Sequence, residues 1–303
     1  MKIPDYLQKG DTVAIVAPAG IIKKEANIYK AAELVKSWGL HVVIGEHVFD
    51  KNNHFSATDK NRLADIQQAL DTPNIKAIWC ARGGYGTGRI IDQIDFTTFQ
   101  KKPKWIIGYS DITVLHSHIH NLNIETIHGM MPVNIGLPEE QRQQSVLTLK
   151  KALFGELSQY TLSSSSYNKL GSATGNLVGG NLTLLENLLG TSSSIDTTDK
   201  ILFIEEIGEY KYHIDRLLQA LKRNGYFDHC NGIIIGGMSH IKRNNPLYGL
   251  TIEEIILDVL PDNKIPVIFD FPAGHDPENR ALYLGRNIEM VVSKDSSTVR
   301  FLN

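Results

Sequence analysis

One candidate catalytic residue is a serine at the predicted junction of a strand and a helix. Ser110 lies in the segment WIIGYSDIT, where an apolar run is followed by a helical pattern. Such a corner exposes the hydroxyl group and places the N–H groups of the helix start near it, as in a nucleophile elbow. The N–H of Asp111 would then favour negative charge beside Ser110. Because the segment lacks the second glycine of G-x-S-x-G, a helix-capping role for Ser110 stays open.

A base and an acid that could activate this serine occur later in the chain. A serine hydroxyl is a weak nucleophile at neutral pH, so it needs a base, and the base needs an orienting acid. His275 lies in FDFPAGHDPENR, just after an apolar run, in a loop whose shape Pro-Ala-Gly restricts. Glu205 follows the apolar run ILFI, and a carboxylate at the carboxyl end of a strand can face a cleft. Solvated or structural roles are the alternatives, and Glu206 and Glu209 are competing candidates for the acid.

A glycine-rich loop, CARGGYGTGR, lies between a predicted strand and a predicted helix. Glycines there let the backbone approach a ligand closely and direct N–H groups at it. The loop lacks the Gly-Lys-Ser/Thr of a P-loop, and its G-x-G-x-G spacing differs from the dinucleotide fingerprint. A tight turn is the alternative, but two arginines and four glycines exceed what a turn needs. The pattern favours a loop that binds a ligand or an oxyanion.

Two histidines one helical turn apart form a candidate metal pair. His116 and His120 stand at i and i+4 in HSHIH and would share a helix face. No glutamate lies between them as in H-E-x-x-H, and no third ligand is evident in the sequence. The pattern therefore favours ordinary histidines at the edge of the core, and the sequence predicts no metal site.

The elements that would position these residues follow an alternating order. Apolar strands alternate with helices from TVAIVAP to IETIHG, which predicts a parallel sheet covered on both faces. After about Leu153 the chain becomes serine-rich, and a second unit with a β-rich end follows. The pattern predicts an α/β protein with a flavodoxin-like or Rossmann-like domain at 1–155, a linker at 156–174 and a second domain at 175–303. The serine-rich stretch is also compatible with a peripheral β segment.

Composition restricts the class of protein. The chain has 303 residues, 42% of them hydrophobic and 21% charged, with a formal net charge of -2. A nucleic-acid-binding surface usually gives a strongly basic domain, so a nucleic-acid partner is not expected. No apolar run approaches the roughly 18 residues of a membrane span. Two widely separated cysteines and the lack of a signal-peptide pattern predict a cytoplasmic protein.

In combination these motifs resemble the LD-carboxypeptidase family of serine peptidases. This family includes the muramoyl-tetrapeptide carboxypeptidases and the microcin C immunity proteins. The resemblance extends over nearly the whole chain. It is carried, in order, by DTVAIVAPAG, ARGGYG, IIGYSDIT, GNLVGGNLTLL, LFIEEIGE, YHIDRLLQAL, GIIIGG and PAGHD.

The resemblance implies a catalytic role for each candidate. The family's serine, glutamate and histidine fall on Ser110, Glu205 and His275, at an active site between the two domains. Its oxyanion hole would consist of the backbone N–H groups of Asp111 and of Gly84, with Tyr85 as the alternative to Gly84. Arg82 is the candidate for binding the carboxylate terminus of the substrate, and Tyr85 is a second substrate-binding candidate.

The implied reaction is hydrolysis of the L,D-bond before the terminal D-alanine of a murein tetrapeptide, without a metal or organic cofactor. The resemblance also implies a homodimer and, for the recycling enzymes, the cytoplasm. The segment EEIGEYKYHIDRLLQAL is similar to the tetrapeptidase branch. The alternatives are an immunity-type peptidase that cleaves a nucleotide conjugate and a small-molecule binding protein without catalysis.

Overall fold

The computed structural model describes residues 1–261 and 265–302. Its α-helices are α1 (Glu25–Ser37), α2 (Asp59–Asp71), α3 (Thr97–Lys101), α4 (Thr113–Asn121), α5 (Glu139–Leu153), α6 (Leu182–Asn187), α7 (Lys211–Arg223) and α8 (Ile252–Val259). Its strands are β1 (Thr12–Val16), β2 (His41–Ile44), β3 (Ile75–Cys80), β4 (Trp105–Gly108), β5 (Thr126–His128), β6 (Gln159–Ser163), β7 (Gly171–Asn181), β8 (Lys200–Ile207), β9 (Gly232–Ser239), β10 (Val267–Ile268), β11 (Leu282–Leu284), β12 (Asn287–Val292) and β13 (Ser296–Phe301).

The first sheet contains the alternating elements of the N-terminal half. Its strand order is β11-β5-β4-β3-β1-β2, and β1 to β5 are mutually parallel. β3 and β4 are buried along almost their whole length, as expected for strands with helices on both faces. The order 2-1-3-4-5 is that of flavodoxin-like folds. The predicted α/β fold class is therefore confirmed.

In the N-terminal half, a capping residue and a glycine mark the ends of two helices. The side chain of Thr58 accepts a hydrogen bond from the backbone N–H of Asn61 and caps α2. Gly39, with a φ of 84°, ends the turn after α1. The short helix expected between β3 and β4 consists of two 3-10 turns, at 87–89 and 91–93, followed by α3.

The second sheet is mixed and forms the C-terminal half. Its order is β10-β9-β8-β7-β12-β13-β6. Strands β7 to β10 are parallel, whereas β12, β13 and β6 are antiparallel to their neighbours. The long apolar strand β8 lies between β9 and β7, and Glu205 and Glu206 lie near its carboxyl end.

Strands β6 and β11 depart from the predicted division of the chain into two domains and a linker. The serine-rich segment 156–174 includes strand β6 at the edge of the second sheet and the first residues of β7. β11, from the C-terminal half, pairs antiparallel with β5 and completes the first sheet. The domain limits at residues 155 and 175 stay a prediction.

One hydrophobic cluster extends through both sheets. It contains Trp79 and Trp105 from the first sheet together with Phe203 and Ile234 from the second. Arg286, which follows β11, pairs in the interior with Glu125, the residue before β5. Within the described residues, no helix combines the length and the apolar composition needed to span a bilayer.

Candidate active site

Three loops at the carboxyl edge of the first sheet form one side of the candidate site. They follow β1, β3 and β4, the central strands, where ligands bind in open α/β sheets. The loop after β1 and the glycine-rich loop after β3 are joined by a hydrogen bond of 3.0 Å from the N–H of Gly20 to the carbonyl of Gly83. The loop after β4 carries Ser110.

The backbone at Ser110 makes a sharp corner. Its φ is 63°, a left-handed value that is uncommon outside glycine. A 3-10 turn, Ser110–Ile112, leads from there directly into α4. An N-cap residue normally has extended backbone, so this geometry differs from the capping alternative. It matches the strained strand-to-helix turn that exposes a nucleophile.

The glycine-rich loop packs directly on this corner. A methyl group at Gly83 would lie 3.0 Å from the Cβ of Ser110 and 3.3 Å from the backbone nitrogen of Asp111. Gly84 has a φ of 103°, which a residue with a side chain rarely adopts. The N–H of Thr87 donates to the carboxylate of Asp111 over 2.9 Å. The glycine-rich loop is therefore fixed to Asp111, the residue that follows Ser110. Burial raises the pKa of the Asp111 carboxyl group.

The acid and the base come from the second half of the chain and meet at this edge. The Nδ1 atom of His275 lies 2.6 Å from Oε2 of Glu205. The side chain of Glu205 is fully buried, and that of His275 is 13% exposed. Burial lowers the pKa of His275, but the charge and hydrogen bond of Glu205, with smaller contributions from Glu206 and Asp276, raise it above its ordinary value.

Tyr109 connects the two sides of the site. Its ring meets the ring of His275 edge-on, with 4.9 Å between the centroids, and Tyr109 immediately precedes Ser110. The hydroxyl of Tyr109 accepts a hydrogen bond from Asn134 over 3.1 Å. No pattern in the sequence marks Tyr109 or Asn134 as part of the site. The only available signal was the position of Tyr109 beside the serine.

The other two glutamates have different partners. The Glu206 carboxylate accepts hydrogen bonds from Asn181, from the backbone of Ile207 and from both the N–H and the hydroxyl of Thr183. It therefore anchors the start of α6. Glu209 pairs with His213 one turn further along the chain.

The predicted substrate-binding residues lie at the glycine-rich loop. One guanidinium nitrogen of Arg82 donates to the carbonyl of Ile21 over 2.6 Å. Tyr85 is 50% exposed and contacts the rings of His54 and Phe55. A cavity of about 240 Å³ beside Asp111 and Tyr85 extends towards α6.

Arg62 forms hydrogen bonds with two loops of the candidate site. No pattern in the sequence marks this residue. Its guanidinium is completely buried on α2, donates to the carbonyls of Pro18 and Gly86, and pairs with Asp59. It therefore links the loops after β1 and β3.

His116 and His120 have structural contacts. Both are buried on α4, where His116 bonds the carbonyl of Gly108 and His120 bonds the hydroxyl of Thr126. Among the described residues, no group of three or more His, Cys, Asp or Glu side chains could hold a metal ion.

Two stretches of the chain match a known protein family. Residues 13–129 match the LD-carboxypeptidase N-terminal domain, and residues 174–290 match the LD-carboxypeptidase C-terminal domain. The chain belongs to the LD-carboxypeptidase family. It is therefore a serine carboxypeptidase, and the predicted family and enzyme class are confirmed.

Two curated relatives are similar to this LD-carboxypeptidase over most of its length. A probable murein peptide carboxypeptidase of Bacillus subtilis is 36% identical and covers 98% of this chain and 93% of its own. A murein tetrapeptide carboxypeptidase of Pseudomonas aeruginosa is 30% identical over 90% of this chain and 91% of its own.

Among solved structures, the microcin C7 self immunity protein MccF in complex with aspartyl sulfamoyl adenosine has a TM-score of 0.89. It covers 99% of this chain and 98% of its own at 22% identity. At this identity the likeness shows the LD-carboxypeptidase fold alone.

Proposed function

We propose that this LD-carboxypeptidase removes the terminal D-alanine of a murein tetrapeptide through a Ser110–His275–Glu205 triad. The observation that carries the proposal is the buried Glu205–His275 pair, whose imidazole packs on the residue preceding Ser110. A carboxylate on one ring nitrogen of a histidine orients the other nitrogen towards a nucleophile. The corner at Ser110 supplies a half-buried hydroxyl on the same edge of the sheet.

In the proposed reaction these residues act as a serine peptidase triad. Nε2 of His275 takes the proton of Ser110 as its Oγ attacks the carbonyl of the scissile bond. The oxyanion that forms would be stabilised by the N–H groups of Asp111 and Gly84. His275 then gives its proton to the departing amine, so D-alanine leaves and an acyl-serine ester remains. Water, deprotonated by His275, hydrolyses the ester and releases the tripeptide.

Relatives rather than the fold support the murein substrate. The two curated relatives at 36% and 30% identity carry murein peptide names. The immunity protein shares the fold at 22% identity, so its nucleotide conjugate stays the alternative substrate. The Gly-Glu segment and the Tyr-His-Ile-Asp-Arg helix after Glu205 favour the tetrapeptidase branch.

Arg82 is the proposed partner of the substrate carboxylate. Its bond to Ile21 engages one of the five N–H donors of the guanidinium. An unpaired carboxylate in a closed cleft would be costly, so a cation is needed there. Arg82→Met should raise KM for the tetrapeptide more than it lowers kcat, and amidation of the substrate terminus should remove the difference between the two proteins.

Substrate selectivity tests the proposal. The purified protein is incubated with a murein tetrapeptide, with the same peptide ending in L-alanine, with its D-alanine amide and with aspartyl sulfamoyl adenosine. Since misplacement by about 1 Å can cost roughly 10²-fold in rate, we expect D-alanine release from the first peptide and little reaction with the others. Equal rates on the L,D and L,L peptides, or faster cleavage of the conjugate, would contradict the proposal.

The proposal also includes a cellular compartment and an oligomeric state. The two cysteines are free and buried, which fits the reducing cytoplasm and a role in recycling murein peptides. Fractionation of cells that express the tagged protein tests the compartment. Assembly as a homodimer stays a prediction, which analytical ultracentrifugation tests.

A further inference from the structure

His128 is a completely buried residue next to the candidate site. It is not part of the proposed triad. It is the last residue of β5 and stands opposite Gly108 of β4, two residues before Ser110. Its ring lies 5.7 Å from the ring of Tyr109 and meets the ring of Phe203 edge-on at 5.0 Å. Phe203 is two residues before Glu205, so His128 contacts the strands that carry both the nucleophile and the acid.

Asn279 extends this contact to the loop that carries the base. Its Oδ1 atom lies 3.1 Å from Nε2 of His128 and 3.0 Å from the backbone nitrogen of Gly274. Gly274 immediately precedes His275. The backbone N–H of Asn279 in turn donates to the hydroxyl of Ser145 on α5 over 2.8 Å. The amide oxygen therefore joins the base loop to the first sheet.

The hydrogen-bonding groups settle the protonation of His128. An amide oxygen only accepts hydrogen bonds, so Nε2 of His128 carries the proton. Burial is the main reason that the pKa of His128 is lowered to about 3. The ring is therefore neutral and donates to Asn279 throughout the pH range in which His275 would act as a base.

We propose that His128 and Asn279 are positioning residues that hold the His275 loop in register with the Ser110 corner. Their role depends on the proposed function only in that His275 is the base. Gly274 has a φ of 132°, and its Cα packs against Glu205, where a methyl group would lie 3.0 Å from Oε2. The peptide unit before His275 therefore sets both the contact with Glu205 and the direction of the imidazole.

Loss of this hydrogen-bonded pair should affect the chemical step rather than binding. A misplacement of about 1 Å costs on the order of 10²-fold in rate. We expect Asn279→Ala to lower kcat by about that factor and to change KM by less than about 3-fold. The acid-side midpoint of kcat/KM should move to lower pH, because His275 loses part of the contact with Glu205 that raises its pKa.

Matched variants separate positioning from loss of stability. Asn168→Ala also removes an amide oxygen that accepts a backbone N–H, that of Phe269, which lies six residues before His275 rather than directly beside it. His120→Leu removes a different buried histidine. His128→Leu deletes the donor to Asn279, whereas His128→Gln keeps an N–H at a similar position. All rates are divided by the folded fraction from circular dichroism.

The proposal predicts that both control variants retain the wild-type kcat and midpoint, and that His128→Gln recovers most of the kcat lost in His128→Leu. It is wrong if Asn279→Ala behaves like Asn168→Ala. If Asn279→Ala does not fold, the two His128 variants decide, and equal kcat values in them overturn the proposal.

A readout without substrate keeps this test separate from the proposed function. The pKa of His275 can be measured by NMR titration of the ring in each protein. A lower value in Asn279→Ala than in Asn168→Ala supports the positioning role even if the wild-type protein releases no D-alanine. Equal values in the two variants contradict it.

Discussion

At the scale of single residues, the protonation of His275 sets the conditions under which the proposed triad works. The imidazole must be neutral to accept the serine proton, and its pKa is raised above the ordinary value of about 6.5. Activity should therefore be lost as the pH falls through this raised pKa. Because Glu205 is the largest of the raising influences, its charge controls where that loss occurs.

Glu205→Gln should remove most of the activity and shift the acid limb of the remaining activity to lower pH. The triad loses the acid that orients His275 and stabilises the imidazolium. A profile of kcat/KM against pH measures both effects. Glu206→Gln is the matched control, since the Glu206 carboxylate bonds Asn181, Thr183 and Ile207 instead. If Glu206→Gln is the more damaging of the two, the assignment of the acid is wrong.

A second residue-scale prediction concerns Gly83. Gly83→Ala would force a methyl group to within 3.0 Å of the Cβ of Ser110, so either the glycine-rich loop or the nucleophile must move. We expect kcat to fall by about 10²-fold or more, measured as D-alanine release. Gly88→Ala in the same loop meets no atom within 4 Å and serves as the control. Equal activity of the two variants would contradict the described packing.

At the scale of elements, the loops of the site depend on a helix that does not reach the site. α2 supports the loops after β1 and β3 through the buried guanidinium of Arg62. Arg62→Met would leave the carbonyls of Pro18 and Gly86 without this donor, and each unsatisfied buried group costs about 1–3 kcal/mol. We expect the free energy of unfolding to fall by roughly 3 kcal/mol and kcat to fall with it.

Arg89→Met is the matched control for Arg62, because Arg89 pairs with the same Asp59 carboxylate but is exposed. Exposed ion pairs contribute little to stability. Denaturant unfolding of both variants tests this comparison. If the two substitutions have equal effects on the free energy of unfolding, the buried contacts of Arg62 do not support the loops.

The sequence predicted elements whose signals are local. The apolar runs of β1, β3, β4 and β8 are of this kind, because strand patterns extend over neighbouring residues. The pairing of β11 with β5 could not be predicted this way, since only three residues form the strand and their partners lie over 150 positions earlier. Strand β6 alternates exposed polar residues with more buried apolar ones at the edge of the sheet, so it has no continuous apolar run in the sequence.

The site was predictable to a similar extent. Ser110, Glu205 and His275 each come after an apolar run in the sequence, which is a local signal, and the family motifs give their order. Tyr109, His128 and Asn279 act through contacts made only in the folded chain. A buried histidine at the end of a short strand has no distinguishing pattern in the sequence.

At the scale of the whole molecule, the two sheets share one hydrophobic cluster and a buried ion pair between Arg286 and Glu125. We therefore expect thermal unfolding to occur in a single cooperative transition, although the chain is long enough for two domains. Arg286→Met should lower the midpoint, because removing one partner of a buried pair costs about 3–5 kcal/mol. Calorimetry measures both effects, and two separate transitions would contradict the shared core.

The proposed role of Ser110 can be tested by the release of D-alanine from a murein tetrapeptide, compared between the wild-type protein and Ser110→Ala. The wild-type protein should yield the tripeptide and D-alanine. The variant should be slower by at least ~10⁴-fold, the scale seen when a triad member is removed. Circular dichroism should show an intact fold, since Ser110 is only half-buried. Near-normal turnover by a folded Ser110→Ala protein would contradict the account.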